Sequence, residues 1–211
     1  MAELRPVALP PAERTVGQVV AEAIRIYGEH FWQLIPLGLV VVGVDAASLH
    51  RSVGAQTLIL WAFAPLFAGA YVRAATVVRN ERWTWSAFWA GLIVFLPFPV
   101  LVRLYIVPGM AWFGLFGLAV PAAVAERLGV RVALRRGWQL ARADYVHAVA
   151  GLVTLGLVYF VSRYALLVLI HGFGGQGQTG AAMIADLVLA PLVFVGAVLL
   201  YVDQAARIEV E

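Results

Sequence analysis

Four ionisable residues interrupt apolar stretches of this chain, where a charge is costly and therefore informative. They lie in four different stretches and are Asp45, Arg103, Arg163 and Asp186. An unpaired charge at the centre of a bilayer costs at least about 2.5–3.5 kcal/mol, so we expect these side chains to face inward and pair. Two hypotheses follow: an ion-pair network that sets helix register, or a polar cavity for an ion, a proton or an anionic headgroup. In a third alternative the side chains extend to the membrane surface.

A second polar group is expected near the ends of the apolar stretches. Its members are Arg73, Glu126, Arg136, Asp203 and Arg207. Asp203 and Arg207 are four residues apart and can pair along one helix. We interpret this group as a structural latch that ties an amphipathic helix to the ends of the membrane spans.

That amphipathic helix is predicted over residues 127–142. Small and apolar residues recur along one face of it, and arginines recur along the other. The arginines are Arg127, Arg131, Arg135 and Arg142. Clustered positive charge beside a membrane attracts anionic headgroups by about 1 kcal/mol per residue, so we expect this face to contact anionic lipids.

Residue types that would support catalysis are sparse. The chain has no cysteine and four scattered histidines without ligand spacing, so we expect no metal site and no thiol chemistry. Ser86 and Ser162 lack a base at useful spacing, and the glycine-rich run 171–177 lacks the lysine of a phosphate loop. The sequence therefore predicts a non-enzymatic protein without a cofactor.

Composition assigns the chain to the membrane. Of the 211 residues 63% are hydrophobic and 13% are charged, whereas a soluble domain has about 25% charged residues. We predict an all-α, polytopic transmembrane bundle with six spans. They are expected at about 31–49, 56–78, 91–107, 109–125, 145–170 and 181–201.

Helices that lie along the membrane surface are expected beside these spans. One begins after Thr15, a suitable N-cap, and carries apolar residues at helical spacing. The aromatic segment 80–90 is expected at the interface, and 171–180 is expected to be a loop. We assign 1–14 to a disordered tail, 15–205 to one membrane domain and 206–211 to a second tail.

The arginines predict the orientation. Six spans place twelve of the fifteen on one side of the membrane, and leave only Arg51, Arg103 and Arg163 on the other. By the positive-inside rule both termini are cytoplasmic. The arginine-rich composition without lysine suggests a bacterial inner-membrane protein, and the basic charge reflects lipid rather than nucleic acid as the partner.

Three short motifs resemble one bacterial family. The first is Arg14-Thr15-Val16-Gly17 with Arg25-Ile26-Tyr27 and Phe31-Trp32. The second joins Pro121 and Glu126 to Ala133-Leu134-Arg135-Arg136 and Trp138-Gln139-Leu140. The third is Pro191-Leu192 with Leu200-Tyr201-Val202-Asp203 and Arg207. The chain thus resembles the membrane domain attached to some glycerophosphoryl diester phosphodiesterases, and its stand-alone relatives.

That resemblance covers about residues 14–209 and implies a membrane fold rather than an activity. In the fused proteins catalysis belongs to a separate soluble barrel that binds a metal, and none of its catalytic residues can be assigned to a position here. We therefore expect a membrane module that interacts with lipids or with an unidentified membrane protein. The alternative is a small transporter or lipid-handling channel that uses Asp45, Arg103, Arg163 and Asp186.

Overall fold

The computed structural model describes residues 14–104, 106–169 and 174–210, and within them the chain is built of α-helices and one 3₁₀ turn at Ile35–Leu37. The helices are α1 Val16–Glu29, α2 Phe31–Leu34, α3 Gly38–Ser48, α4 Val53–Arg79, α5 Trp85–Phe95, α6 Phe98–Leu104, α7 Ile106–Phe116, α8 Ala119–Ala125, α9 Val130–Ala143, α10 Tyr145–Leu169 and α11 Gly174–Val210. The predicted tail at residues 1–13 lies outside the described residues.

Six stretches are long and apolar enough to cross a membrane, which confirms the predicted all-α bundle of a multi-pass membrane protein. They are Phe31–Ser48, Val53–Arg79, Trp85–Leu104, Val107–Ala125, Tyr145–Leu169 and Gly177–Ile208. The spans alternate in direction, so the bundle has two ends. The α9 end carries α1, the turn 80–84 and α9, and the Arg163 end carries the turn 49–52.

Helix α1 begins where the sequence predicts it. The backbone N–H of Thr15 donates to Oε1 of Gln18 (2.8 Å), which satisfies a group that the first turn leaves free. Val19, Ala23 and Tyr27 recur at a spacing of four and are buried against the bundle. The helix packs mainly on α11. Arg14, assigned to the tail from the sequence, instead forms an ion pair with Asp203.

Helix α11 lies at the centre and contacts α1, α3, α4, α8, α9 and α10. Close approach of α3 depends on Gly38. A Cβ atom built at that position would lie 2.1 Å from the backbone oxygen of Leu187 on α11. Only glycine allows the two backbones to meet there, which is how small residues hold membrane helices together.

Helix α9 is held in the same way on α8. A Cβ atom at Gly137 would lie 2.6 Å from the backbone nitrogen of Ala119. Ala133, Leu140 and Ala141 are buried on the same face. The predicted amphipathic helix is confirmed, but it begins at Val130 rather than at Arg127. The contact at Gly137 sets which face of α9 packs on α8.

Proline divides the third span. The helix stops at Phe95 and resumes at Phe98, because Pro97 lacks an N–H and cannot continue the ladder. Two indole N–H groups donate to backbone oxygens at the break. Nε1 of Trp112 donates to the oxygen of Val94 (2.9 Å), and Nε1 of Trp61 donates to the oxygen of Leu96 (2.8 Å). Neighbouring helices thus satisfy backbone groups that lipid cannot.

Two predicted boundaries are wrong. The third span begins at Trp85 rather than at 91, and Gly91 lies inside the helix, where it packs closely against Ala68 of α4. The last helix begins at Gly174, within the segment expected to be a loop, and continues through the predicted tail to Val210. Several glycines near its start lower helix propensity and made a loop the better interpretation. Residues 170–173 lie outside the described residues.

Candidate functional site

Arg163 joins three helices at one end of the bundle. Its Nε donates to Oδ1 of Asp186 (2.8 Å) and its Nη2 donates to Oδ2 of the same carboxylate (3.2 Å). Nη2 also donates to Oδ2 of Asp45 (2.8 Å). The hydroxyl of Tyr159 donates to Oδ1 of Asp186 as well. We call these residues the Arg163 cluster: Asp45 on α3, Tyr159 and Arg163 on α10, and Asp186 on α11.

Burial differs sharply within the Arg163 cluster. The side chain of Asp186 is 0% exposed, whereas those of Arg163 and Asp45 are 27% and 36% exposed. Asp186 is a buried carboxylate with three charge-assisted or hydroxyl donors, the condition under which a buried charge is tolerated. Asp45 forms the open side of the cluster.

Arg103 does not join this cluster, and the sequence hypothesis that included it is wrong in that respect. Its Nη2 donates to the backbone oxygen of Val53 (2.7 Å), and its Nε donates to Oγ1 of Thr57 (3.3 Å). Helix α6 packs against α4, α5 and α7 rather than against α10 and α11. Arg103 therefore reaches the first turn of α4, where its Nη2 also donates to Oε1 of Gln56 (3.3 Å).

A polar cavity of about 350 Å³ opens beside Asp45 and Arg163. Ser48, His50 and Gln56 contribute to its wall. An apolar groove of about 480 Å³ lies on the other side of Arg163, along α10. Arg163 borders both spaces, so it lies at a junction between polar and apolar surroundings.

At the α9 end the predicted latch is only partly present. Arg136 donates to Oε1 of Glu126 (3.0 Å), which ties α9 to the end of α8. Tyr201, which the sequence did not single out, donates its hydroxyl to the same oxygen (2.9 Å). Arg73 is exposed on α4 and forms no ion pair within the described part of the chain.

Asp203 and Arg207 do not pair with each other, contrary to the prediction from their spacing. Nη1 of Arg207 donates to Oδ2 of Asp144 (2.8 Å), and its Nη2 donates to the backbone oxygen of Arg14 (3.2 Å). Asp203 lies 3.5 Å from Nη1 of Arg14. We call Arg14, Asp144, Asp203 and Arg207 the Arg207 cluster. Partners on other elements are preferred because α1 and the start of α10 both pack against the end of α11.

Within the Arg207 cluster Asp203 is poorly satisfied. Its side chain is 0% exposed, and its two carboxylate oxygens accept no hydrogen bond from the described residues. The side-chain oxygen of the neighbouring Gln204 is also buried without a donor. Such groups retain most of their desolvation penalty.

The predicted arginine face of α9 is directed away from the bundle. Arg131 and Arg135 are exposed and form no ion pair within the described residues. Arg127 reaches Glu81 (3.2 Å), and the guanidinium of Arg142 lies 5.8 Å from the ring centre of Trp138. Exposed Arg79 and Arg82 lie at the same end of the bundle. We call Arg131 and Arg135, with Arg127 and Arg142 beside them, the arginine face.

Helix α1 differs in its exposed charges. Arg25 donates to Oε1 of Glu22 (2.6 Å) and to Oε1 of Glu29 (2.6 Å). The hydrogen bonds from Arg25 lower the pKa of the Glu22 carboxyl, whereas burial raises the pKa of Tyr27. The charges of α1 are therefore satisfied within the helix, and those of the arginine face are not.

Within the described residues no group of three or more His, Asp or Glu side chains is arranged to hold a metal ion. The residues that sequence analysis missed are Arg14, Tyr159, Asp144 and Tyr201. Tyr159 had a usable signal, since it precedes Arg163 by one helical turn. Comparison of the chain with protein families, with curated proteins and with solved structures found no match.

Proposed function

We propose that this protein is a non-enzymatic module of the bacterial inner membrane that holds anionic phospholipids at its cytoplasmic surface. The arginine face of α9 is the observation that supports this proposal. The exposed guanidinium groups of Arg131 and Arg135 form no ion pair within the described residues, so they are available to bind phosphate. The opposite face of α9 is fixed to α8 through Gly137, which keeps the arginines in place.

The proposed orientation supports the same surface. The six-span assignment from the sequence puts twelve of the fifteen arginines on the side that α1 and α9 would share, and the inner leaflet is the anionic one. The resemblance to the phosphodiesterase-attached membrane domain is in keeping with a membrane role without catalysis of its own.

Orientation is tested by labelling, since the chain has no cysteine of its own. Arg82→Cys and Arg51→Cys place one exposed thiol at either end of the bundle. A membrane-impermeant maleimide added to intact cells should label the cysteine at position 51 and spare the one at position 82. The reverse pattern would place the arginine face on the outer side and remove the reason for the proposal.

Lipid retention tests the function itself. The purified protein is mixed with phosphatidylcholine and phosphatidylglycerol in detergent, and the lipids that remain after gel filtration are counted by mass spectrometry. Because each arginine contributes about 1 kcal/mol, Arg131→Gln with Arg135→Gln should lower phosphatidylglycerol affinity roughly tenfold to thirtyfold. The matched control is Arg51→Gln, an exposed arginine at the opposite end. An equal loss of phosphatidylglycerol affinity in the control, or no loss of that affinity in the double variant, would refute the proposal.

A small transporter is the second candidate, and the cavity beside Asp45 and Arg163 is the observation that favours it. Native co-purification separates the candidates. A retained solute that is lost with Asp45→Asn would favour transport. A stoichiometric protein partner would instead make the chain a subunit or scaffold.

A further inference from the structure

The polar cavity and the apolar groove meet at one side chain, Arg163. The cavity is bounded by α3, the start of α4 and α11, and its wall includes Asp45, His50 and Gln56. The groove runs along α10 and is lined by Phe160, Val161 and Tyr164. A molecule with a polar head and an apolar chain would occupy both spaces at once, because they share Arg163 as a common border.

Two hydrogen-bonding groups of the Arg163 cluster are not used within the described residues. Nε and Nη2 of Arg163 bind Asp186 and Asp45, and Nη1 donates to nothing. Oδ2 of Asp45 accepts from Arg163, and Oδ1 accepts no hydrogen bond. Both side chains are partly exposed. One anionic oxygen and one N–H donor would therefore complete the cluster.

The charge of the Arg163 cluster further restricts the chemistry of the headgroup that could bind there. Two carboxylates face one guanidinium, so the formal charge of the cluster is −1, and Arg103 adds one positive charge beside it by binding Gln56 in the cavity wall. The formal charges around the cavity therefore sum to zero, and a headgroup with both a phosphate and an ammonium group matches that balance and the two unused positions. A primary ammonium can donate to Oδ1 of Asp45, and a quaternary ammonium has no N–H to donate.

The apolar groove along α10 is where an acyl chain of the bound molecule would lie. Phe160, Val161 and Tyr164 are exposed on the surface of a helix that is long and apolar enough to span the membrane. Arg163 lies beside the turn that joins α3 to α4, since Leu49 and His50 border the same cavity. The headgroup would therefore be held at one end of the bundle, with the groove extending along α10.

We infer that the Arg163 cluster and the α10 groove form a binding site for one phospholipid whose headgroup carries a phosphate and a primary ammonium, as in phosphatidylethanolamine. The phosphate accepts from Nη1 of Arg163, the ammonium donates to Asp45, and an acyl chain lies along Val161. This site is at the opposite end of the bundle from the arginine face, so it holds or fails independently of the proposed function.

The test compares two lipids of equal net charge. The full-length protein in detergent is titrated with phosphatidylethanolamine or with phosphatidylcholine of the same acyl chains, and bound lipid is counted by native mass spectrometry. One charge-assisted hydrogen bond separates the two heads, so phosphatidylethanolamine should bind about tenfold more tightly. Equal binding of the two lipids would overturn the inference.

Paired variants locate the site. Val161→Trp fills the groove and should remove the bound phosphatidylethanolamine. Val146→Trp is the matched control, since Val146 is also exposed on the same helix but lies near its other end. Asp45→Asn removes the charge that attracts the ammonium and should abolish the preference for phosphatidylethanolamine over phosphatidylcholine.

Misfolding is not expected to cause a loss of lipid binding in the tryptophan variants, because Val161 and Val146 are exposed and their substitutions leave the Arg163 cluster intact. If Asp45→Asn fails to fold, the tryptophan pair still decides. Loss of phosphatidylethanolamine in both tryptophan variants, or in neither, would overturn the inference. Arg131→Gln with Arg135→Gln should change phosphatidylglycerol binding alone.

Discussion

Asp186 and Asp203 are both completely buried on α11, but at opposite ends of the bundle and in unlike surroundings. Asp186 accepts two hydrogen bonds from Arg163 and one from Tyr159. Asp203 has only Arg14 at 3.5 Å, and its oxygens accept no hydrogen bond from the described residues. Equal burial therefore does not mean equal energetic importance. What matters is whether the donors replace the water that each carboxylate lost.

The largest effect is expected from Asp186→Asn. Losing the charge leaves Arg163 with Asp45 alone, and breaking a buried ion pair on one side costs about 3–5 kcal/mol. The free energy of unfolding, measured by titration with sodium dodecyl sulfate in mixed micelles, should fall by that amount. Arg163→Gln should cost a similar amount, and the double variant should cost much less than the sum because the two residues act as a unit. Arg51→Gln, at an exposed arginine of the same end, is the control. Additive losses would show that the pair is not coupled.

Gly38→Ala should come next, because it acts on the same end through the backbone. Its Cβ atom would meet the backbone of Leu187, next to Asp186, and would push α3 and Asp45 away from α11. Overpacking of this kind costs about 1–3 kcal/mol, or more where only backbone can yield. The control is Gly156→Ala on α10, where a Cβ atom meets nothing within 4 Å. If both variants unfold at the same detergent concentration as the wild type, the close contact of α3 with α11 is not maintained.

Asp203→Asn should have a much smaller effect than Asp186→Asn. The substitution removes a buried charge without removing any hydrogen bond that the described residues make to it. The desolvation gain and the loss of Arg14 oppose each other, so we expect a change within about 1 kcal/mol in either direction. Unfolding in the same titration measures it. A loss as large as that of Asp186→Asn would break the comparison and show that Asp203 has donors that matter.

The smallest effect concerns α1, which packs beside Asp203. Arg25 lowers the pKa of Glu22, so the ion pair stabilises the folded state at neutral pH and loses that contribution as the pH falls below 4.5, the ordinary value. Because the Arg25 side chain is 55% exposed, Glu22→Gln should cost only a few tenths of a kcal/mol, at most about 1. The difference in the free energy of unfolding between Glu22→Gln and wild type should shrink in an unfolding series taken from pH 7 to pH 3. If the difference in the free energy of unfolding grew as the pH fell, the lowered pKa assigned to Glu22 would be contradicted.

Much of the fold could be predicted before any coordinates. Apolar runs predicted six spans, Thr15 predicted the start of α1, and the alternation of arginines with small residues predicted α9. Boundaries failed where composition was ambiguous. The aromatic run after Thr84 served equally well for an interface or a span, and the glycines near the start of α11 suggested a loop.

The candidate site could be predicted only in its composition. The sequence identified Asp45, Arg163 and Asp186 as charges that must pair, because lipid tolerates no lone charge. It also placed Arg103 among them, although Arg103 donates to the first turn of α4 and not to either carboxylate.

What the sequence determined by itself is the number of spans and the two amphipathic helices, since hydropathy and helical periodicity are local properties of the chain. Tertiary structure decided which charges meet. Asp203 pairs with Arg14 rather than with Arg207, four residues away, because α1 packs against the end of α11. That lateral arrangement arises from close contacts of small residues such as Gly38 and Gly137 with distant backbone, which no local pattern encodes.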